Sequence, residues 1–293
     1  MQLMFVLIVL LGHAVFLFDM LPILYKYEFE KNHVVFPMFV AFTNFFFFHM
    51  SCTADPGEIT PSNLEKYSDI YKFDYKLYYP KTFCRTCHFM KPARSKHCSI
   101  CDRCVYRFDH HCIWTNNDVG GLNVRYFIMF LLTLVFMAAN GVYVASHCLF
   151  LYVEKHDIMK ASVLLNSGEI QPVTFQIAFQ HMFIQFPRLV FLVVSLILVI
   201  PMIGTFTAYH LFLIFTNQTT NERYKTIEIK DNEQDHSNSV KGRQPLTECN
   251  IKSRIISGRK SKATKYRPYN YGIFSNLLEI FLMYNLKNKK KQR

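Results

Sequence analysis

The sequence predicts an α-helical polytopic membrane protein: four transmembrane helices, with a cytosolic double-zinc, cysteine-rich loop between helices 2 and 3. Three observations predict it. The chain is 51% hydrophobic and 16% aromatic, with 29 Phe among 293 residues, yet carries a formal charge of +12. Its apolar residues gather in four long runs, and its basic residues lie outside them. Six of its nine cysteines fall between positions 84 and 112. A disordered chain could not hold so much Phe, and a soluble core would not need it.

The apolar runs cover residues 3–18, 34–50, 127–153 and 189–216. A helix rising ~1.5 Å per residue needs about 20 residues to cross ~30 Å of hydrocarbon, and each run comes near that length. The first run lacks a basic flank and a small-residue cleavage site, so it reads as a retained helix rather than a signal peptide. His13 and Pro37 interrupt the first two runs and blur their ends.

Basic residues set the orientation. Residues 52–124 hold 10 Lys and Arg and residues 217–293 hold 17, against two in each of 19–33 and 154–181. Basic loops stay on the cytosolic side, so the 52–124 loop, the tail and the N-terminus are expected there. The predicted plan is helices 1 and 2 with a short luminal loop (1–51), a cytosolic cysteine-rich domain (52–124), helices 3 and 4 with a luminal loop (125–216) and a cytosolic tail (217–293). The runs contain few charges that could line a transport path. The membrane is an expected partner and nucleic acid is not.

From Cys84 the loop reads CRTCHFMKPARSKHCSICDRCVYRFDHHCIWTNND. In a reducing compartment such a cluster points to metal ligation or catalysis rather than disulfides. Cys84, Cys87, His97 and Cys104 follow C-x2-C-x9-H-x6-C. Moving every position by 14 gives Cys98, Cys101, His111 and Asp118, the same spacing with Asp in the last slot. Zinc takes four tetrahedral N, S or O donors, and a closed protein set marks a structural site. Two interleaved sets therefore predict two structural Zn²⁺ ions. Carboxylate is a harder donor than thiolate. Asp118 is expected to be the fourth donor, the alternative being a loop residue beside a site completed by water.

The repeat uses His97 and His111 but leaves Asp109, His110 and Cys112. In an extended segment side chains alternate, so His110 and Cys112 share a face while His111 points the other way. A thiolate is the nucleophile, a neighbouring imidazole can take its proton, and a carboxylate can fix the imidazole tautomer. The competing reading makes His110 a support for the metal site and Cys112 a spare ligand. Cys112 precedes the third apolar run by 15 residues, which suits a substrate with one soluble and one lipid end, such as an acyl-CoA thioester. Trp114, the single tryptophan, fits an interfacial position.

These residues resemble the DHHC family of protein S-acyltransferases, the palmitoyltransferases. The resemblance is carried by Asp109-His110-His111-Cys112, KPARSKHC at 91–98 and Asn116-Asn117. Outlying matches are Asp55-Pro56-Gly57, the TTxE-like Thr219-Thr220-Asn221-Glu222, and Gly272, Asn276 and Phe281. It implies that Cys112 accepts an acyl group from palmitoyl-CoA as a thioester and passes it to juxtamembrane cysteines of substrate proteins. It further implies that His110 is the base, Asp109 orients it and Thr220 supports Asp109, with zinc holding only the loop's shape. Arg85, Lys91, Arg94 and Arg125 are candidate CoA-phosphate contacts. Two positions depart from the family pattern: Ile113 stands where the family usually has Pro, and Asp118 where it has Cys. The second departure predicts a slower or less stable enzyme and keeps open another class, a zinc-organised membrane scaffold or pseudoenzyme that binds partners without acyl transfer.

Residues 217–272 read as a mostly flexible polar tail. Phe274, Leu277, Leu278 and Phe281 recur at helical spacing and predict an interfacial helix over 273–284. Lys290 and Lys291 resemble a KKxx signal, which predicts residence in the endoplasmic reticulum membrane, cycling to the Golgi, and a retrieval-coat partner. Cys52 is a juxtamembrane candidate for lipid attachment, and Arg188 is expected to snorkel at the start of the fourth helix.

Overall fold

The computed structural model of the chain describes residues 1–27, 32–164, 168–239 and 266–282. Among them, four helices are long and apolar enough to cross a membrane: Gln2–Tyr27, Val34–Thr53, Val124–Lys155 and Pro187–Phe215. A cysteine-rich region lies between the second and third, as the sequence predicts. The helices outrun the apolar runs because polar residues at their ends still find helical partners. His13 does not break the first helix: its Nδ1 lies 2.8 Å from the carbonyl of Val9, one turn back. A π-helical turn, Phe16–Met20, follows instead. Pro37 sits inside the second helix.

The chain forms two compact units. The first comprises Met1–Ala54, Cys112–Asn117 and Arg125–His210, and holds most of the length of the four membrane helices. Phe5 packs on Phe48 and Phe130 with ring centroids 4.3 and 5.3 Å apart. Lipid tails are as apolar as the helices, so polar ties must add to packing. Buried Asn44 donates to the Phe130 carbonyl at 3.2 Å and to Thr133 Oγ1 at 3.0 Å. Arg188 does not snorkel alone; it pairs with Asp19 on the first helix at 2.6 Å.

The short segment 112–117 belongs to this unit, and polar contacts hold it there. Asn117 Nδ2 donates to the carbonyls of Ser51 and Ala54 at 3.1 and 3.0 Å, capping the end of the second helix. Gln2 Nε2 donates to the Thr115 carbonyl at 2.5 Å.

The second unit comprises Asp55–His111, Asp118–Val124 and Leu211–Arg293, within which 240–265 and 283–293 lie outside the described residues. The strands of residues 55–124 are β1 (Glu58–Ile59), β2 (Phe83–Cys84), β3 (Phe89–Met90), β4 (Lys96–Cys98), β5 (Arg103–Val105), β6 (His110–Cys112) and β7 (Asn117–Val119). β1, β5 and β4 form one antiparallel sheet, and β2–β3 and β6–β7 form separate pairs. Asp55 starts the unit: its Oδ1 accepts the amides of Gly57 and Glu58 at 2.8 Å each. Gly57 has φ +102°, and a Cβ there would meet Tyr106 at 3.2 Å. This turn delivers β1 to β5.

Around the sheet lies an aromatic core that includes Tyr67, Tyr71, Tyr78, Phe89, Tyr106 and Tyr269, into which Cys84 and Cys104 are packed. The tail contributes helices Thr220–Ser239 and Ile273–Phe281. The second ends at Phe281, short of the predicted 273–284, whose last two residues lie outside the described residues. Gly272, at φ +92°, lets the chain turn into it. Asn276 then donates to the Phe215 carbonyl and to Asn270 Oδ1, both at 2.8 Å, so its polar face is tied within the unit.

Candidate active site and metal-binding sets

Three β-hairpins of one design lie in tandem through the cysteine-rich region. β2–β3, β4–β5 and β6–β7 begin their turns after Cys84, Cys98 and Cys112, and left-handed residues follow at His88 (φ 59°), Asp102 (φ 51°) and Asn116 (φ 49°). Each step is 14 residues. The repeat singled out from the cysteine spacing thus runs a third time in the backbone. Sequence reasoning stopped after two copies because the third carries Thr115 where the others carry Cys87 and Cys101. The missing signal was positional: Cys112 occupies the slot of Cys84 and Cys98.

Two four-residue donor sets result. Cys84, Cys87, His97 and Cys104 have ligand-type atoms all within 4.8 Å of one another, and so do Cys98, Cys101, His111 and Asp118. In the first set the β4–β5 register places His97 opposite Cys104. His97 Nδ1 lies 3.4 Å from Cys87 Sγ and 3.8 Å from Cys104 Sγ, while its Nε2 faces Asp102 at 3.4 Å. In the second set His111 Nδ1 lies 3.4 Å from Cys101 Sγ, 3.9 Å from Cys98 Sγ and 3.0 Å from Asp118 Oδ1. Asp118 is wholly buried. Each hairpin hands on donors: the second gives His97 and Cys104 to the first set, and the third gives His111 and Asp118 to the second.

Without a cation these groups oppose one another. Burial and the adjoining Asp118 carboxylate push the Cys101 thiol up to about 12. Burial, Cys84 and Cys87 push Cys104 higher still. Burial alone would raise Asp118, but hydrogen bonds from Cys98, His111, Cys101 and Arg103 hold it below the usual carboxylate range. Three anionic donors in so small a space are stable together only around a positive charge. The donor chemistry and spacing fit a tetrahedral dication.

Asp109 and His110 stand apart from both sets. Asp109 Oδ2 lies 2.6 Å from His110 Nδ1. Thr220 then fixes the carboxylate: its amide donates to Asp109 Oδ1 at 2.7 Å and its hydroxyl to Oδ2 at 2.9 Å. Thr220 opens a helix, whose N-terminal amides favour a carboxylate. Thr219 and Glu222 form a reciprocal cap there, with the Thr219 amide 3.0 Å from Glu222 Oε2 and the Glu222 amide 3.2 Å from Thr219 Oγ1. Cys112 closes β6 and is buried. His110 and Cys112 are the first and last residues of that strand, so alternation sets both side chains on one face.

The candidate CoA contacts divide. Arg85 is exposed, and Lys91 and Arg125 are half-buried. Arg94 is a correction: it is 0% exposed and cannot meet a soluble phosphate. Its guanidinium grips Glu222 through Nε at 2.6 Å and Nη2 at 2.9 Å, and donates to Asn217 Oδ1 and O at 3.0 and 2.9 Å. Tyr71 and Tyr269 cover it at 4.7 and 4.5 Å. Glu279 joins the same network through Tyr71 and through Asn217 Nδ2 at 2.7 Å. Burying an arginine is tolerable only with such complete pairing. Arg94 therefore ties the KPARSKHC segment to the helix that carries Thr220.

Four apolar helices long enough to cross a membrane, a hydrogen-bonded histidine–carboxylate pair and two four-residue sets of metal-ligand type define a multi-pass membrane protein with a cysteine-rich region. Residues 77–227 match the family model described as DHHC palmitoyltransferase. The chain is 37% identical over 266 residues to palmitoyltransferase ZDHHC4 of Mus musculus, covering 91% of this chain and 73% of the relative. It is 33% identical over 283 residues to its Rattus norvegicus counterpart, covering 97% and 78%. It is 26% identical over 315 residues to palmitoyltransferase SWF1 of Neurospora crassa, covering 93% and 73%. The chain belongs to the DHHC palmitoyltransferase family and is a protein S-acyltransferase of that type.

Proposed function

We propose that Cys112 carries the acyl group. Its thiolate attacks the thioester carbonyl of palmitoyl-CoA, a new C–S bond forms, and the bond to CoA sulfur breaks. His110 takes the Cys112 proton and gives it to the departing CoA thiolate. In the second half a substrate-protein cysteine surrenders its proton to His110, its sulfur attacks the acyl-Cys112 carbonyl, and Cys112 leaves as the thiol after reprotonation. Asp109 accepts a hydrogen bond from His110 Nδ1, which keeps Nε2 as the basic nitrogen. One observation carries the reading: Thr220 supplies two donors to Asp109, so the orienting carboxylate is itself oriented.

Both donor sets are read as structural zinc sites, with Cys84, Cys87, His97 and Cys104 holding one ion and Cys98, Cys101, His111 and Asp118 the other. Bound zinc would supply shape and charge neutralisation rather than chemistry. Asp118 as a donor weakens the scaffold reading, whose motive was an incomplete second set. Arg85, Lys91 and Arg125 remain candidate CoA-phosphate contacts. Positive charge around 52–124 and the tail supports a cytosolic position for both. The endoplasmic-reticulum and coat readings rest on Lys290 and Lys291, which lie outside the described residues; changing both to Ala relocates the protein if they hold.

Incubation of purified protein with labelled palmitoyl-CoA tests the central step. Hydroxylamine-sensitive label on the wild type and none on Cys112→Ser supports it. Label that persists on Cys112→Ser moves the thioester elsewhere, and an unlabelled but folded wild type restores the scaffold.

A further inference from the structure

Asp118 differs from Cys104, its counterpart in the first set, and its surroundings differ with it. Side chains alternate along β5, so Cys104 enters the first set while Arg103 turns the other way. Arg103 Nε there donates to Asp118 Oδ2 at 3.3 Å, and its Nη1 donates to Glu58 Oε2 at 3.3 Å. Glu58 lies on β1, the strand paired with β5. Asp118 Oδ1 is the oxygen near His111 Nδ1, at 3.0 Å. One carboxylate oxygen thus faces the donor set and the other faces a guanidinium. The Asp118 backbone is fixed as well: Asn123 Nδ2 donates to its carbonyl at 2.8 Å, and Asn123 Oδ1 accepts the Gly120 amide at 2.9 Å.

A thiolate offers one sulfur and has no second atom to restrain. A carboxylate has two equivalent oxygens and can pivot between them, or leave a weakly held ion altogether. We propose that Arg103 is a positioning residue for the second metal set: it holds Oδ2 of Asp118 so that Oδ1 alone is presented, letting an aspartate close a set otherwise built from thiolates and imidazole. Glu58 anchors Arg103 from its far side and keeps the guanidinium in place. The inference rests on reading Asp118 as a metal donor.

Zinc content and release to a chromophoric chelator, measured on full-length protein in detergent, test it. In Arg103→Gln one ion leaves at least about tenfold faster than in wild type while the other keeps its rate, the size expected when a ligand's outer partner is lost. In an Asp118→Cys background the same Arg103→Gln change alters release by less than about twofold, because coupling vanishes when one partner is gone. An Arg103→Gln effect that is absent, or equal in both backgrounds, overturns the proposal and leaves Arg103 a sheet residue only. Failure of the underlying reading looks different: Asp118→Ala then retains both ions at the wild-type rate.

Discussion

The first two hairpins and the third share a backbone plan but part in chemistry. In hairpins one and two the cysteine pair after each strand is complete, Cys84 with Cys87 and Cys98 with Cys101, and the following hairpin returns a histidine and a fourth donor. In the third, Cys112 faces Thr115, whose hydroxyl turns to the Cys112 carbonyl at 3.4 Å. The positions one repeat further on, Arg125 and Leu132, lie in the third membrane helix and can supply no metal donor set. Cys112 keeps the slot of Cys84 and Cys98, but Thr115 stands where they have a second cysteine. The lesson is that a structural repeat keeps its backbone plan after its donor pattern has run out.

The largest expected break of this comparison is Cys84→Ala. Cys84 belongs both to the first candidate donor set and to the aromatic core, and structural zinc sites carry on the order of 10 kcal/mol of apparent binding energy. Metal analysis should find at least one ion lost, with acyl labelling of Cys112 abolished. Thr115→Cys goes the other way and would complete the third cysteine pair. Acyl labelling of that variant should fall more than about a hundredfold in excess zinc or cadmium and recover with chelator, since soft thiolate pairs capture such ions. Wild-type metal sensitivity in Thr115→Cys would sink the reading of Cys112 as a stranded ligand.

Smaller effects sharpen it. Thr220→Val removes one of the two donors that Thr220 gives Asp109 and leaves the amide, so labelling should slow by about tenfold, the worth of one hydrogen bond to a charged group. No rate change with unaltered melting would detach Thr220 from the chemistry. The smallest effect is expected for Asp118→Cys. Three anionic donors stand in either set, so the substitution conserves charge and changes only softness. Zinc release from the second set should slow by up to about tenfold, with labelling unchanged. Faster release would mean that the site is built around oxygen.

Much of this was legible from residues alone, and the reasons are particular. The four helices followed from apolar length, because lipid leaves the backbone few other solutions. Cys84 through Asp118 followed from one interval repeated twice. Arg94 was misjudged: a basic residue in a basic loop reads as a surface cation, and only Glu222, 128 positions away, reveals its burial. Arg103 carried no signal, because its partners Glu58 and Asp118 lie 45 and 15 residues away. The third hairpin was available to counting but hidden by Thr115.

Local periodicity and donor spacing by themselves determined that the chain has four helices able to cross a membrane and gathers two sets of metal-type ligands. Those properties depend on neighbours within a few turns or a fixed interval. Tertiary structure decided which cations are buried, which oxygen of Asp118 faces its set, and that Thr220, 111 positions away, joins the neighbouring His110 in holding Asp109. Such choices depend on groups brought together from distant parts of the chain, where desolvation forces each charge to find a partner that no local pattern announces.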